Sequence, residues 1–288
     1  MYPYRAPLHD MNFLLHHMSQ GQNFELNELA MILKQAAKFS EHELAPANAI
    51  GDKEGCKYSE GIVTLPPATR TAFENYVNAG WIGICMPEQW GGQNLTDTIG
   101  SKVGEMITSS NHAISMISAL TMSACKAIIA FGSEHLKQTY LPKMVSGEWT
   151  GTMCMTEAHC GSDLGLIKTS AHKLDKECYQ ISGTKIFISA GEHDSSENII
   201  HLVLARIKEA PIGIKGLSLF VVPKLLPDTN KINNVNCIGI EEKMGIHANP
   251  TCTISFEKAT GFLVGHEHQG IKAMFTMMNE MRLGTALQ

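Results

Sequence analysis

The sequence lacks several features that would place it in common classes of protein. Its 288 residues include eight cysteines, but none forms a C-x-x-C pair, and their density is far below that of a small disulfide-linked scaffold. Neither G-x-G-x-x-G nor G-x-x-x-x-G-K-S/T occurs, and no apolar run approaches the roughly 18 residues of a membrane-spanning helix. These absences predict reduced and mostly buried thiols, no Rossmann or phosphate-loop site, and no integral membrane segment.

The chain also has no excess of positive charge. Asp, Glu, Lys and Arg make up 18% of the residues, and the net charge is −5. The Lys and Arg residues are dispersed, so we do not expect a nucleic-acid partner. The opening ten residues carry no apolar core followed by a small-residue cleavage site, so we expect no secretory signal and a cytoplasmic location.

The first half of the chain has helical periodicity. Apolar residues recur mostly at three- and four-residue steps from Phe24 to about Gly147. We predict one helix that ends near Pro46, and further helices over residues 67–80, 96–131 with a break near 109–112, and 134–145. Ser133 suits the N-cap of the last helix and Gly147 suits its end. Residues 1–148 are therefore predicted to form an all-helical domain.

After Trp149 the apolar residues alternate, which is typical of strands. The predicted strands cover residues 179–182, 185–189, 199–205, 218–222 and 252–256. Pro, Gly and Asn residues favour loops over 209–216 and 223–236. Residues 149–266 are therefore predicted to form a mostly antiparallel, β-barrel-like domain.

Past Gly270 the spacing becomes helical again. Gly284 could end this helix, but the apolar Ala286 and Leu287 follow it. Residues 267–288 are predicted to be the first helix of a C-terminal helical domain, and we expect the chain to be the N-terminal part of a longer protein. The predicted fold class is thus multi-domain α and β, with an all-α domain, a β domain and the start of a second helical domain.

Two motifs in the β half carry a family resemblance. The first runs from Met153 to Asp163 and reads Met-Cys-Met-Thr-Glu-Ala-His-Cys-Gly-Ser-Asp, followed by Thr-Ser-Ala at 169–171. The second, Gly-Thr-Lys-Ile-Phe-Ile-Ser, spans 183–189. With Met-Pro-Glu-Gln-Trp-Gly-Gly at 86–92 and Lys-Met-Gly-Ile-His at 243–247, they make nearly the whole chain resemble acyl-CoA dehydrogenases. It is most similar to the long bacterial branch that includes 3-methylmercaptopropionyl-CoA dehydrogenases.

The resemblance implies FAD as cofactor. An isoalloxazine ring needs an apolar bed and hydrogen-bond donors at its polar edge, because negative charge develops around N1 and O2 on reduction. The Thr156 hydroxyl and nearby backbone would contact this pyrimidine edge, Phe187 would pack on the ring, and Ser189 would reach toward N5. The cofactor-binding residues that the resemblance implies are Met153, Met155, Thr156, Gly161, Ser162, Phe187, Ile188 and Ser189.

The chain departs from the family pattern within these motifs. Ala158 stands in place of Pro, His159 and Cys160 in place of a small pair, Phe187 in place of Trp, and Ser189 in place of Thr. Phe keeps an aromatic face and Ser keeps a hydroxyl, so we expect FAD binding to survive. Two adjacent ligands cannot complete a tetrahedral zinc shell. We therefore predict no metal and interpret the pair as a loop histidine and a small buried thiol.

No catalytic base is assigned within the 288 residues. The reaction requires a carboxylate that removes an α-proton, and in most family members this Glu lies in the C-terminal helical domain, past Gln288. A minority carry it directly before an arginine that matches Arg282, where this chain has Met281. Glu280 is turned away by about 100° on the helix. By resemblance, the residues that would contact acyl-CoA are Ser162, Asn279 and Arg282.

The resemblance therefore implies oxidation of an acyl-CoA thioester to a trans-2-enoyl-CoA, with electrons passed to an electron-transfer flavoprotein. It also implies a homodimer or a homotetramer. Two alternatives remain: an acyl-CoA oxidase that uses O2, and a non-catalytic piece that binds flavin or acyl-CoA. His193 and Asp194 have no partnered nucleophile, and we interpret them as surface loop residues.

Overall fold

The structure, a computed structural model, describes residues 4–18, 26–175 and 177–288. Helices precede and follow a central sheet. The helices are α1 (Leu8–Met18), α2 (Leu26–Phe39), α3 (Ala45–Glu54), α4 (Pro67–Asn78), α5 (Asp97–Ser110), α6 (His112–Phe131), α7 (Glu134–Ser146) and α8 (Gly270–Ala286). The strands are β1 (Lys57–Ser59), β2 (Ile62–Thr64), β3 (Trp149–Cys154), β4 (Ser170–Lys173), β5 (Cys178–Ser189), β6 (Asn198–Ile207), β7 (Leu217–Pro223), β8 (Val235–Ile240) and β9 (Thr251–Val264).

Local capping signals fix several helix ends where the sequence predicted them. Asn111 breaks the long apolar stretch between α5 and α6, and its side chain accepts a hydrogen bond from the Ile114 N–H. Ser133 caps α7 in the same way through the Leu136 N–H, and Gly147 ends that helix with a φ of +86°. The predicted break and the predicted α7 are confirmed. Both could be predicted because a capping residue acts on helix residues only a few positions away.

Three details of the helical half differ from the sequence-based prediction. The helix that was expected to end near Pro46 continues to Glu54, because a π-helical turn over Ser40–Leu44 precedes α3 and leaves Pro46 in the first turn of α3, where its missing N–H is tolerated. The helix α1 was not predicted. The antiparallel hairpin β1–β2 interrupts the region that was predicted to be all-helical.

The central sheet is mostly antiparallel, as predicted. The pairings β4–β5, β5–β9, β9–β7 and β7–β6 are antiparallel, and a short parallel pairing of β4 with β6 completes a circuit of five strands. The strand β3 pairs in parallel with β6, and β8 pairs with β9. Two strands were predicted on either side of Gly183, but they form one strand, β5. The strand β8 begins at Val235, inside the segment 223–236 that was predicted to be a loop.

The helix α6 docks the helical half onto β3. At Gly151 a side chain would collide with its neighbours, since a Cβ there would lie 2.8 Å from Ala124 Cβ and 2.9 Å from Met144 Cε. The Gly151 N–H also donates to Thr121 Oγ1 at 3.0 Å. By length and composition alone α6 is apolar enough to cross a membrane, but most of it is buried inside the protein.

The helix α8 packs against α6 and β7. Ala273, Met274 and Met277 are buried in this interface, and a Cβ on Gly270 would overlap the backbone of Ser218 and Leu219. The helical prediction past Gly270 is confirmed. The helix does not end at Gly284, because Gly284 lies within α8 and the helix continues to Ala286.

Two histidines lie buried in and beside the central sheet. His193 is 2% exposed; its Nδ1 accepts from the Ser195 N–H at 3.2 Å, so Nε2 carries the proton toward Thr150 Oγ1 at 3.1 Å. His201 Nδ1 lies 2.7 Å from Thr152 Oγ1. Burial lowers the pKa of His193 to about 4 and the pKa of His201 to about 3. The interpretation of His193 as a surface residue is wrong, because the segment after β5 turns back against β3.

These buried imidazoles should make the fold sensitive to acid. The folded protein keeps them neutral, whereas the unfolded chain protonates them near pH 6.5. The free energy of unfolding should therefore fall as the pH drops from about 6.5 toward 4, by about 2 kcal/mol per histidine at about pH 5. Denaturant unfolding at several pH values measures this slope, which His201→Gln should reduce.

The exposed His135 provides the matched control. His135→Gln should keep the wild-type slope, since its imidazole is in contact with solvent in both states. Equal slopes for His201→Gln and His135→Gln would contradict the assignment of the acid sensitivity to the buried imidazoles.

Candidate functional site

The structure brings the two family motifs side by side. The Ile186 N–H, in β5, donates to the Thr156 carbonyl oxygen at 2.9 Å, just beyond the end of β3. The Lys185 ammonium donates to the Met155 carbonyl oxygen at 2.9 Å. The segment after β3 therefore runs directly beside the second half of β5.

A buried carboxylate lies beneath this junction. Glu157 Oε1 accepts from Lys185 Nζ at 2.9 Å, from Thr169 Oγ1 at 2.6 Å and from the Thr169 N–H at 3.0 Å, while Oε2 accepts from the Lys168 N–H at 2.9 Å. The side chains of Lys185 and Glu157 are 0% and 5% exposed. Burial by itself would raise the pKa of Glu157, but Lys185 and the other donors outweigh it and lower that pKa to about 2. Burial lowers the pKa of Lys185, and Glu157 opposes this shift.

Gly183 allows Thr169 to reach the carboxylate. Its φ is +153°, and a Cβ there would lie 2.5 Å from Thr169 Oγ1 and 2.8 Å from Thr169 Cα. Any larger residue would push Thr169 away from Glu157. Thr169 and Lys185 thus belong to one hydrogen-bonded cluster around Glu157, and Gly183 leaves the space that Thr169 needs.

Phe187 occupies an irregular point of β5. The register of β5 against β9 shifts between Lys185 and Ile188, and Phe187 has a φ of +60°. For a bulky residue this left-handed conformation costs roughly 1–2 kcal/mol. The irregularity turns the Phe187 ring outward, where it is 57% exposed, while Ile188 is 1% exposed and faces the core. Ser189 ends β5 opposite Thr251 and is half-buried.

The other predicted flavin residues follow β3. Met153 and Met155 are partly buried and pack against the same apolar cluster as Met278 and Met281 of α8. Thr156 is half-buried, and Gly161 and Ser162 are exposed in the loop that follows. Cys160 is 7% exposed and His159 is exposed, which matches the predicted loop histidine and buried thiol.

The residues predicted to contact acyl-CoA on α8 lie together on its exposed side. Arg282 Nη1 donates to Asn279 Oδ1 at 2.8 Å, and the guanidinium lies 5.7 Å from the centroid of the Phe275 ring. Across the described ranges, no hydrogen bond joins Asn279 or Arg282 to the two motif segments. Ser162 and the α8 pair therefore remain separate parts of the predicted substrate surface.

A cavity of about 140 Å³ lies between α5, α6 and α8. Its lining includes Met122, Leu283 and Glu280. Glu280 Oε2 is held by Lys126 Nζ at 2.8 Å, and Lys126 also binds Asp97 at 3.1 Å. Met281, which occupies the position of the base in a minority of the family, packs against the apolar cluster instead.

One group of potential metal ligands occurs among the described residues, formed by Glu157, His159 and Cys160. Both carboxylate oxygens of Glu157 already accept protein hydrogen bonds, and Lys185 places a positive charge 2.9 Å away. The hydrogen-bonding capacity of the Glu157 carboxylate is thus used by protein donors, and the nearby ammonium would repel a cation. We assign no metal to this group.

Two family models match the chain. The acyl-CoA dehydrogenase N-terminal domain matches residues 27–148, and the acyl-CoA dehydrogenase middle domain matches residues 152–259. The chain therefore belongs to the acyl-CoA dehydrogenase family, whose members are FAD flavoproteins.

Known relatives support this assignment. The chain is 40% identical to the 3-methylmercaptopropionyl-CoA dehydrogenase of Ruegeria pomeroyi, over 99% of the chain and 51% of that protein. It is 35% identical to a butyryl-CoA dehydrogenase of Syntrophomonas wolfei, over 96% of the chain and 48% of that protein. The chain thus spans about half the length of these relatives. A solved structure described as the electron transferring flavoprotein of Acidaminococcus fermentans matches with a TM-score of 0.77 and 27% identity, over 93% of this chain and 65% of that one.

No role was predicted for Glu157, Thr169 or Lys185, although all three stand in the motifs. The available signal was Lys185 itself, a charged residue within an alternating strand pattern. Lysine is almost never fully buried unless it is paired. A buried position for Lys185 would have required a carboxylate nearby, and Glu157 is the acid of the adjacent motif.

The close contact at Gly183 can be tested by adding one methyl group. Gly183→Ala should lower the free energy of unfolding by more than ~2 kcal/mol, because the new Cβ would overlap Thr169 and the φ of +153° disfavours alanine. Gly239→Ala in β8 is the matched control, since a Cβ there meets no atom within 4 Å. It should change stability by less than about 1 kcal/mol. Denaturant unfolding that shows equal effects at both positions would refute the steric explanation.

Proposed function

We propose that this chain binds FAD and an acyl-CoA thioester for oxidation of the thioester to a trans-2-enoyl-CoA. The observation that carries the proposal is the junction of the two motif segments through Lys185 and Glu157, beside the exposed ring of Phe187. When bound, FAD supplies a hydride acceptor, and the protein supplies binding and orientation.

The residues at this junction suit an isoalloxazine ring. The exposed Phe187 ring and the partly buried Met153 and Met155 offer apolar contacts. The hydroxyls of Thr156 and Ser189 would serve the polar edge. Within residues 4–18, 26–175 and 177–288, no protein group accepts a hydrogen bond from the Thr156 N–H, which leaves that donor available to a ligand.

Three further residues complete the proposed cofactor surface. Ile188 would contribute its backbone, since its side chain is buried in the sheet core. Gly161 and Ser162 are exposed in the loop after β3, where backbone and hydroxyl groups would approach a phosphate. Ser162 would also contact the substrate.

The CoA portion of the substrate would lie along the exposed side of α8, where Asn279 and Arg282 are. An arginine there offers a forked donor suited to phosphate groups. The acyl chain would enter the cavity between α5, α6 and α8.

We propose an electron-transfer flavoprotein as the electron acceptor. The match to the structure described as the electron transferring flavoprotein of Acidaminococcus fermentans supports this choice. We further propose a cytoplasmic homodimer or homotetramer.

Binding of FAD can be tested on the purified protein. After FAD is added and unbound FAD is removed, the protein should retain flavin absorption bands, and FAD titration should change the flavin fluorescence. Phe187→Ala should raise the Kd for FAD about tenfold, because the variant loses the stacking surface. Ile238→Ala, which removes an exposed apolar side chain from β8, should leave the Kd unchanged. A wild-type protein that acquires no flavin bands would overturn the proposal.

Binding of CoA can be tested separately. Arg282→Gln should raise the Kd for acyl-CoAs of several chain lengths by a similar factor of about ten, because the guanidinium would contact the CoA portion that they share. Lys272→Gln, also exposed on α8, is the matched control and should bind like the wild type. An equal loss in both variants would indicate nonspecific charge attraction instead of a contact at Arg282.

A further inference from the structure

Lys185 makes a second hydrogen bond in addition to its ion pair with Glu157. A buried ammonium needs a counter-charge, and Glu157 provides it at 2.9 Å. The same Nζ also donates to the Met155 carbonyl oxygen at 2.9 Å. This second bond ties the cation to the backbone segment that would line the flavin.

The geometry of one peptide group gives this bond a consequence. Met155 and Thr156 are joined by a trans peptide, since the described chain contains no cis bond. In a planar trans peptide the carbonyl oxygen and the N–H point in opposite directions. The Thr156 N–H therefore points away from the Lys185 ammonium, and it has no acceptor in the described part of the protein.

Lys185 also changes the strength of this donor. Hydrogen bonds in a chain polarise one another, and the effect is larger where water is excluded. A cation at the carbonyl oxygen draws electron density through the peptide group and makes the Thr156 N–H a stronger donor. Reduction of a flavin places negative charge at N1 and O2, where a stronger donor stabilises the reduced form.

We infer that Lys185 is a positioning residue that acts through the Met155–Thr156 peptide, aiming and strengthening the N–H donor at the pyrimidine edge of bound FAD. This inference rests on the proposed binding of FAD. Lys185 thereby tightens FAD binding and raises the reduction potential of the bound flavin, although its own side chain does not touch the cofactor.

Thr169 provides the comparison that separates this role from a purely structural one. Its hydroxyl donates to the same carboxylate oxygen of Glu157 at 2.6 Å, and it is also buried. It makes no hydrogen bond to Met155 or Thr156. Loss of the Thr169 hydroxyl should therefore weaken the cluster without changing the polarisation of the peptide.

The experiment compares Lys185→Gln, the double variant Lys185→Met with Glu157→Gln, and Thr169→Val in the 288-residue chain. The double variant removes both charges, so that no unpaired ion is left buried. FAD titration gives the Kd, equilibration with a reference dye gives the reduction potential, and thermal unfolding without FAD reports the fold.

The double variant should raise the Kd for FAD about tenfold and make the potential more negative, since it removes a charge-assisted hydrogen bond behind the donor. Lys185→Gln replaces the cation by a neutral amide and leaves the Glu157 carboxylate without its counter-charge, so it should also show the more negative potential. Thr169→Val should lower thermal stability and leave the potential at the wild-type value.

The outcomes separate the two proposals. A wild-type protein that does not bind FAD refutes the proposed function and this inference together. If the wild type binds FAD and Lys185→Gln has the wild-type potential, or Thr169→Val shifts the potential as much as Lys185→Gln does, only the role of Lys185 is refuted. If the double variant does not fold, Lys185→Gln and Thr169→Val decide the question.

Discussion

The ion pair between Lys185 and Glu157 holds together three segments that are distant in sequence. The end of β3, the residues before β4 and the middle of β5 all donate to or accept from this pair. Breaking a buried pair by removing one partner costs roughly 3–5 kcal/mol, because the other charge is left without compensation. The surface formed by Thr156 and Phe187 is therefore held in place by an ion pair whose disruption would cost much of the protein's stability.

The surrounding packing places this surface where the helices meet the sheet. The contact of Gly151 with α6 fixes β3 from one side, and α8 brings Met278 and Met281 to the apolar cluster that also contacts Met153. A flat ring bound at the end of β3 would thus lie between a rigid sheet edge and two helices. In the proposed function, flavin and acyl-CoA would share this boundary, to which both the sheet and α8 contribute residues.

Much of the fold could be predicted from the sequence, and the errors have physical causes. Asn111, Ser133 and Gly147 act on their immediate neighbours, so helix ends there were predictable. The hairpin β1–β2 and the strand β4 have only three or four residues per strand, so their periodicity is too brief to detect. The strand β8 begins inside a segment whose Pro and Asn residues favoured a loop. The predicted site residues were reachable only through the family resemblance. The roles of Glu157 and Lys185 depend on a contact across 28 residues of sequence, which periodicity does not reveal.

The conformation of Phe187 limits how this sequence can change. Glycine adopts a φ of +60° without strain, and asparagine does so more readily than phenylalanine. Either residue would relieve strain and remove an exposed aromatic ring, so selection for heat tolerance alone would favour its loss. Persistence of an aromatic residue here in descendants of this sequence would indicate that the ring is kept for what it contacts. At this position of β5, the residue that gives the higher thermal stability is therefore not the residue that keeps the exposed ring.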